Sequence, residues 1–318
     1  MKNLIAIIAG EPNSINSEII AKAWKKKKIN NLFIIGNYSI LKRQINKLGF
    51  EIPIIRINKL EQFKKERNLF ILDVPLKSKS IFNVNYSHVR NYVIKCFDIA
   101  HDLAIKKKIT GFINAPIDKK ILKKKYLGIT EYLSEKNKTT NKEVMLIHNK
   151  DLSVVPLTTH IEIKNVTSKI KLSLIKNKII TLNNFYIKLF KKIPKIAILG
   201  LNPHNSENKK YSIENKIIKP AVVQLQKINI DINGPFPADT AFSKEKITSY
   251  NVIVGMYHDQ VLAPFKSLYG YDAINITLGL KYIRISPDHG TARDIVGLNK
   301  ADPRSMINAI NFLNKIND

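Results

Sequence analysis

The chain has 318 residues, 44% of them apolar, which is enough core for one large or two ordinary domains and excludes wholesale disorder. A single cysteine, Cys96, excludes an intramolecular disulfide, and no stretch reaches the roughly 18 apolar residues of a membrane span. The net charge of +28 admits a nucleic-acid partner, but the lysines are scattered through loops such as KNKTTNKE and runs such as 25–28, 106–108 and 123–125, without interleaved aromatics. They read as helix ends and solvated faces, so nucleic acid is not the expected partner.

The N-terminus, MKNLIAIIAGEPNS, has the charged start of a signal peptide, but its apolar run is short and no small-x-small site follows. It reads as a first buried strand, Leu4–Ala9, of a cytoplasmic protein. A helix over Ser17–Lys27, a strand at Leu32–Gly36, a helix over Ser39–Leu48 and strands at Ile52–Ile57 and Leu69–Val74 follow. A helix around 88–107 places Cys96 on its apolar face with Val89, Val93, Ala100 and Leu103, and a strand at 109–113 comes next. This alternation predicts a mostly parallel sheet covered by helices. Val144–His148 and Leu152–Leu157 flank a tight polar connection and predict a hairpin. Then come a strand at Ile196–Leu201, a helix near 213–227, strands at Val252–Met256, Ala273–Leu278 and Tyr282–Ile285, a turn at Gly279, and a helix from Pro303 to Lys315. There is no linker rich in Pro, Gly or Ser. The expected class is α/β, with two domains sharing strands around a cleft: 1–122 with 297–318, and 123–296.

No GxGxxG follows the first strand and no GxxxxGK[ST] occurs, which disfavours an ordinary dinucleotide fold and a P-loop. Three of the seven histidines share one setting, an apolar strand running into a short polar turn: VVPLTTH to His160, AILGLNPH to His204 and VIVGMYH to His258. Strand ends of an α/β sheet gather at one edge, and three imidazoles leave a divalent metal an open coordination position. Taken singly, each histidine also reads as a surface or satisfied core residue. Asp239 and Asp259 could each orient a ligating imidazole through its second nitrogen; Asp239 could equally cap a helix starting near Thr240. Lys266 and Arg284 near a metal would suit an anionic substrate.

Together, GLNPHNSEN, GPFPADTAF, YHDQVLAPFK and ITLGLKYIRISPDHGTARDIVG resemble the 4-hydroxythreonine-4-phosphate dehydrogenase family of pyridoxal phosphate biosynthesis. GEPNSINSEII, INAPIDKK, GITEYL and TTHIEIKNV resemble its remaining blocks in the same order. The resemblance implies a pair of α/β/α domains like those of isocitrate and isopropylmalate dehydrogenases, and a homodimer whose active sites use both subunits. It implies metal-dependent oxidative decarboxylation of 4-phosphooxy-L-threonine to 3-amino-2-oxopropyl phosphate, with reduction of NAD or NADP and zinc, magnesium, manganese or cobalt as the metal. By motif, His160, His204 and His258 fall on the metal ligands, and Thr130, Lys266, Asn275 and Arg284 on substrate-binding positions. The sequence names no general base; Lys266 could serve if its pKa were lowered beside the metal. Asp288, His289, Gly290 and Thr291 fall on the stretch that holds the adenosine end of the cofactor in related dehydrogenases.

The chain departs from the family pattern in two places. GHTE becomes Gly128-Ile129-Thr130-Glu131, which replaces a substrate-contacting histidine by a side chain that cannot hydrogen-bond. GDPxGIGPE becomes a loop with Glu11 for the aspartate and Ser14 and Asn16 for glycines, so a glycine-requiring turn there is rebuilt or strained. Two other readings fit the residues: a related dehydrogenase of another phosphorylated hydroxy acid, and a non-enzymatic basic protein that binds nucleic acid.

Overall fold

A computed structural model describes residues 3–27, 29–118, 120–121, 128–139 and 142–317. The chain divides into two compact units, Met1–Leu133 with Lys281–Asp318, and Ser134–Leu280.

The first unit runs β1 (Ile5–Ile8), α1 (Asn16–Lys26), β2 (Leu32–Gly36), α2 (Tyr38–Lys47), β3 (Ile54–Ile57), β4 (Leu69–Asp73), α3 (Tyr86–Ile105) and β5 (Gly111–Asn114). α4 (Ile129–Asn137) spans the division. The second unit runs β6 (Val144–His148), β7 (Ser153–Pro156), α5 (Val166–Lys169), α6 (Leu172–Phe190), β8 (Ile196–Leu199), α7 (Lys219–Gln226), β9 (Ile232–Phe236), α8 (Lys244–Ser249), β10 (Val252–Gly255), α9 (His258–Tyr269) and β11 (Ile274–Leu278). The chain returns to the first unit for β12 (Ile283–Pro287) and α10 (Arg304–Asn317).

In the first unit the strand order is β3-β4-β2-β1-β5-β12, every pair parallel. The unbroken apolar runs of β1 and β2 follow from this, because both faces are covered and every residue of both strands is buried. α3 packs on β1, β2 and β5, and α10 on β5 and β12. Phe33, Phe70, Phe97 and Phe112 are fully buried there, each side chain of this size contributing about 1.5–3 kcal/mol by leaving water. Caps set the helix starts: the side chain of Asn37 accepts from the Ile40 amide at 3.0 Å, and that of Asn85 from the Ser87 amide at 3.0 Å. Cys96 is fully buried in α3, and burial pushes its thiol up, as a small core residue requires. Lys25 and Lys26 sit in the last turn of α1, where they complement the helix dipole; Lys106–Lys108 follow α3, and 123–125 lie outside the described residues.

In the second unit the order is β11-β6-β7-β10-β8-β9. The predicted hairpin is present: β6 and β7 are antiparallel, and the Asn149 amide donates to Leu152 O at 3.0 Å. β11 is antiparallel to β6, whereas β7, β10, β8 and β9 pair in parallel. α9 packs on β7 and β10 and buries Val261, Leu262 and Phe265.

The division differs from the expected boundaries at 122 and 296. β12 pairs with β5, Arg284 opposite Phe112, so residues 281–296 go with the first unit. That pairing joins residues far apart in the chain and leaves no local sequence signal. No helix among the described residues is long and apolar enough to cross a membrane.

Candidate active site

The three strand-end histidines leave adjacent parallel strands. β10 lies between β7 and β8, with Gly255 opposite Pro156 and Val254 opposite Ile198. The loops carrying His160, His258 and His204 therefore start from one edge of the second unit's sheet, from strands spaced about 4.8 Å apart.

Hydrogen bonds carry the ladder beyond the strands. Leu157 N donates to Gly255 O at 2.8 Å, and both the amide and hydroxyl of Thr158 donate to Met256 O, at 3.1 and 2.7 Å. On the other side, Gln260 accepts from the Met256 amide at 2.7 Å and donates to Gly200 O at 2.7 Å, which ties the end of β10 to the end of β8. His160 and His258 meet with ring centres 5.8 Å apart. A metal held at about 2.0–2.1 Å by one nitrogen of each ring would put the centres roughly 5–6 Å apart, so the pair fits a shared divalent cation. The His258 Nδ1 lies 2.6 Å from Asp259 Oδ1, leaving Nε2 to face a metal.

His204 stands on the neighbouring loop, exposed. Residues 204–208 are all left-handed, with φ between 48° and 57°, in a turn that contains no glycine. Each such residue costs on the order of 1–2 kcal/mol, so the turn persists only if its surroundings hold it. The fully buried Glu214 does so: its carboxylate accepts from the Leu201 amide at 3.0 Å, the Asn202 amide at 2.9 Å and the Ser206 hydroxyl at 3.0 Å. Burial raises this carboxyl, but the hydrogen bonds outweigh it and leave its pKa below the ordinary value. Asn205 Nδ2 adds a bond to Pro235 O at 2.9 Å. Among the described residues no three His, Cys, Asp or Glu side chains close on one point. The chain thus brings two of the three imidazoles together and leaves His204 outside the pair.

Several expectations about neighbouring residues change. His258 is the first residue of α9 and does not lie in a polar turn; Lys266, two turns on, belongs to the same helix and is half-buried. The helix after Asp239 starts at Lys244, so Asp239 does not cap a helix near Thr240. It is exposed in the turn 238–242, and none of the hydrogen bonds of the described residues joins it to an imidazole. Asn275, on β11, holds a buried Oδ1 without a hydrogen-bond partner, an acceptor that a ligand's N–H or O–H would satisfy.

Arg284 on β12 is buried in the first unit. Its Nε donates to Asn114 Oδ1 at 2.6 Å and its Nη1 to Thr130 Oγ1 at 3.1 Å. Burial pushes the guanidinium down to about 10, with Tyr282 and Glu131 pulling it back up. Glu131 keeps one buried carboxylate oxygen without a partner. Ile129, where the family pattern has histidine, is 5% exposed and adds no polar group.

Asp288, His289, Gly290 and Thr291 follow β12. The Asp288 amide donates to Ser305 Oγ at 2.9 Å, and Thr291 O accepts from the Ile15 amide at 3.2 Å. A Cβ at Gly290 would meet nothing within 4 Å, so the open side of this backbone has room for a ligand. The loop after β1 is rebuilt without strain at its substituted positions. Gly10 takes the positive φ, 71°, while Ser14 and Asn16 do not. Asn16 Nδ2 replaces glycine's close approach by donating to Ala9 O at 2.9 Å and Pro116 O at 2.7 Å. Sequence reasoning missed Gln260 and Glu214, whose partners lie on other strands or loops. It also missed the link from Glu11 to Arg293, for which the only signal was an acid in the first strand's loop.

A model of the family described as pyridoxal phosphate biosynthetic protein PdxA matches residues 28–313. A 4-hydroxythreonine-4-phosphate dehydrogenase of Sulfurihydrogenibium sp. (strain YO3AOP1) is 38% identical over 317 residues, 96% of each chain. That of Aquifex aeolicus (strain VF5) is 34% identical, covering 100% of this chain and 99% of the relative. The crystal structure of the Klebsiella pneumoniae enzyme of that name superposes with a TM-score of 0.86 at 29% identity, over 99% of this chain and 100% of the other. Isocitrate dehydrogenase of Methylococcus capsulatus, with TM-score 0.50 and 10% identity over 98% and 85%, shares the fold alone.

Proposed function

The chain belongs to the 4-hydroxythreonine-4-phosphate dehydrogenase family and is an oxidoreductase of pyridoxal phosphate biosynthesis, and from that premise we propose how its residues divide the work. The reaction is oxidative decarboxylation of 4-phosphooxy-L-threonine to 3-amino-2-oxopropyl phosphate, with hydride passing to NAD or NADP. His160 and His258 hold a divalent cation, with Asp259 fixing the imidazole of His258; His204 is the third ligand, contributed by the partner subunit of a homodimer. When bound, zinc, magnesium, manganese or cobalt supplies Lewis-acid polarisation of the substrate's C3 oxygen during oxidation and carbon dioxide loss.

Arg284 and Thr130 bind an anionic group of the substrate, and Asn275 Oδ1 accepts from a substrate donor. Lys266 adds a second cation and is the candidate base for the C3 hydroxyl proton. The segment Asp288–Thr291 receives the adenosine end of the cofactor. The observation that carries the reading is the pair of strand-end imidazoles 5.8 Å apart with a carboxylate on Nδ1 of one. The test is NADH or NADPH formation from 4-phosphooxy-L-threonine, with metal analysis of the same sample. His258→Ala is expected to abolish turnover and reduce bound metal; full activity in rigorously metal-free buffer would refute the metal assignment.

The buried Ile129 favours one second reading, a related dehydrogenase that acts on another phosphorylated hydroxy acid. Comparing kcat/KM across several such acids separates the two.

A further inference from the structure

The 288–294 segment is tied to the loop after β1 by a buried charge. Glu11 is fully buried, and its carboxylate accepts from Arg293 Nη2 at 2.8 Å, the Tyr86 hydroxyl at 3.1 Å and the Asp118 amide at 2.9 Å. Arg293 also reaches Asp118 Oδ2 at 3.0 Å, and its guanidinium lies 4.9 Å from the centre of the Tyr86 ring. The Ile15 amide holds Thr291 O in the same region. Between these anchors Ala292 is left-handed, with φ 42°, a conformation an alanine keeps only where its surroundings impose it. The Arg293 side chain is 43% exposed and that of Glu11 fully buried, so removing Arg293 leaves a buried carboxylate without its cation, which costs more than breaking an exposed pair.

We propose that Glu11 is a positioning residue for the cofactor: through Arg293 it holds segment 288–294 ready to receive the adenosine end of the dinucleotide. The proposal rests on the assignment of that segment to the cofactor made above. A segment ordered before binding does not have to be ordered by the ligand, so its affinity rises. Arg284 donates to Asn114 and to Thr130, neither of which belongs to the Glu11 network, so the proposed substrate contacts there do not run through Glu11.

Glu11→Gln keeps the shape and removes the charge; Arg293→Met removes the partner from the half-exposed side. Both are titrated with NADH and NADPH by fluorescence, and the KM for 4-phosphooxy-L-threonine is measured alongside. Each variant is expected to weaken the cofactor about tenfold while substrate KM stays within about twofold, with Glu11→Asp nearer the wild type. Unchanged cofactor affinity in both variants overturns the proposal, and so does an equal loss of both ligands with a lowered Tm. Gly290→Glu tests the underlying assignment, because its side chain enters open space beside the segment. Normal cofactor binding by that variant overturns assignment and proposal together. Its loss while Glu11→Gln binds normally overturns the proposal alone.

Discussion

Arg284 is a cation removed from water, and two of its N–H groups go to the uncharged side chains Asn114 and Thr130. A planar guanidinium held in place by these bonds suits the anionic group proposed for it. Lysine in its place keeps the charge and loses the planar fork, so Arg284→Lys is expected to raise substrate KM by about 10- to 100-fold in steady-state assays. Burial lowers the guanidinium to about 10, so the group is still protonated at neutral pH and loses its charge as pH rises through that value. Substrate KM should therefore not rise on account of Arg284 until pH approaches about 10, and a KM profile climbing at about pH 8 would assign the anion to another group. Glu214 carries the opposite sign. Its folded pKa is depressed below the ordinary 4.5, so its contribution is complete above that value and fades as pH falls through the depressed one. Glu214→Gln is expected to lose about 1–3 kcal/mol at neutral pH and to converge on the wild type in acid, as urea unfolding at the two pH values would show.

At the scale of elements, the loop after β8 is the most constrained part of the site. A Cβ on Gly200 would stand 2.1 Å from Asn205 Oδ1 and 3.3 Å from Glu214, inside the turn that carries His204. Gly200→Ala is therefore expected to displace that turn and lower metal occupancy severalfold without abolishing the fold, read by metal analysis and a thermal melt. The alternation of apolar runs and helices was legible because β1, β2, β4 and β5 are buried on both faces and need no polar face. α6 was not assigned: LSLIKNKIITLNNFYIKLF is rich in isoleucine and asparagine, poor helix formers, and the stripe Ile175, Ile179, Leu182 and Tyr186 becomes a helix through packing. The histidines were visible as a repeated local pattern. Strand order, which makes β7, β10 and β8 neighbours, depends on non-local pairing and was not. Glu11 and Arg293 are 282 positions apart, so neither announces the other.

At the scale of the whole molecule, one chain supplies part of the proposed metal site. His160 and His258 lie with ring centres 5.8 Å apart, while among the described residues no third His, Cys, Asp or Glu completes a metal-binding group with them. Two imidazoles hold a divalent cation weakly, and a catalytic site ordinarily has three protein ligands. A two-fold dimer places the same surface of each copy against the other, so a side chain missing from one site can be supplied twice by one symmetric contact. This makes a subunit-mixing prediction. His204→Ala and His258→Ala chains, each inactive alone, are unfolded together and refolded. If the partner provides His204, a mixed dimer has one site with both defects and one with neither. Random pairing makes half the dimers mixed, so about a quarter of wild-type activity should return. His160→Ala mixed with His258→Ala is the control: those two imidazoles come from the same chain, and a mixed dimer has a defect in each site. Recovery in the first mixture but not the second supports a site shared in this way; no recovery in either would place all three ligands on one chain.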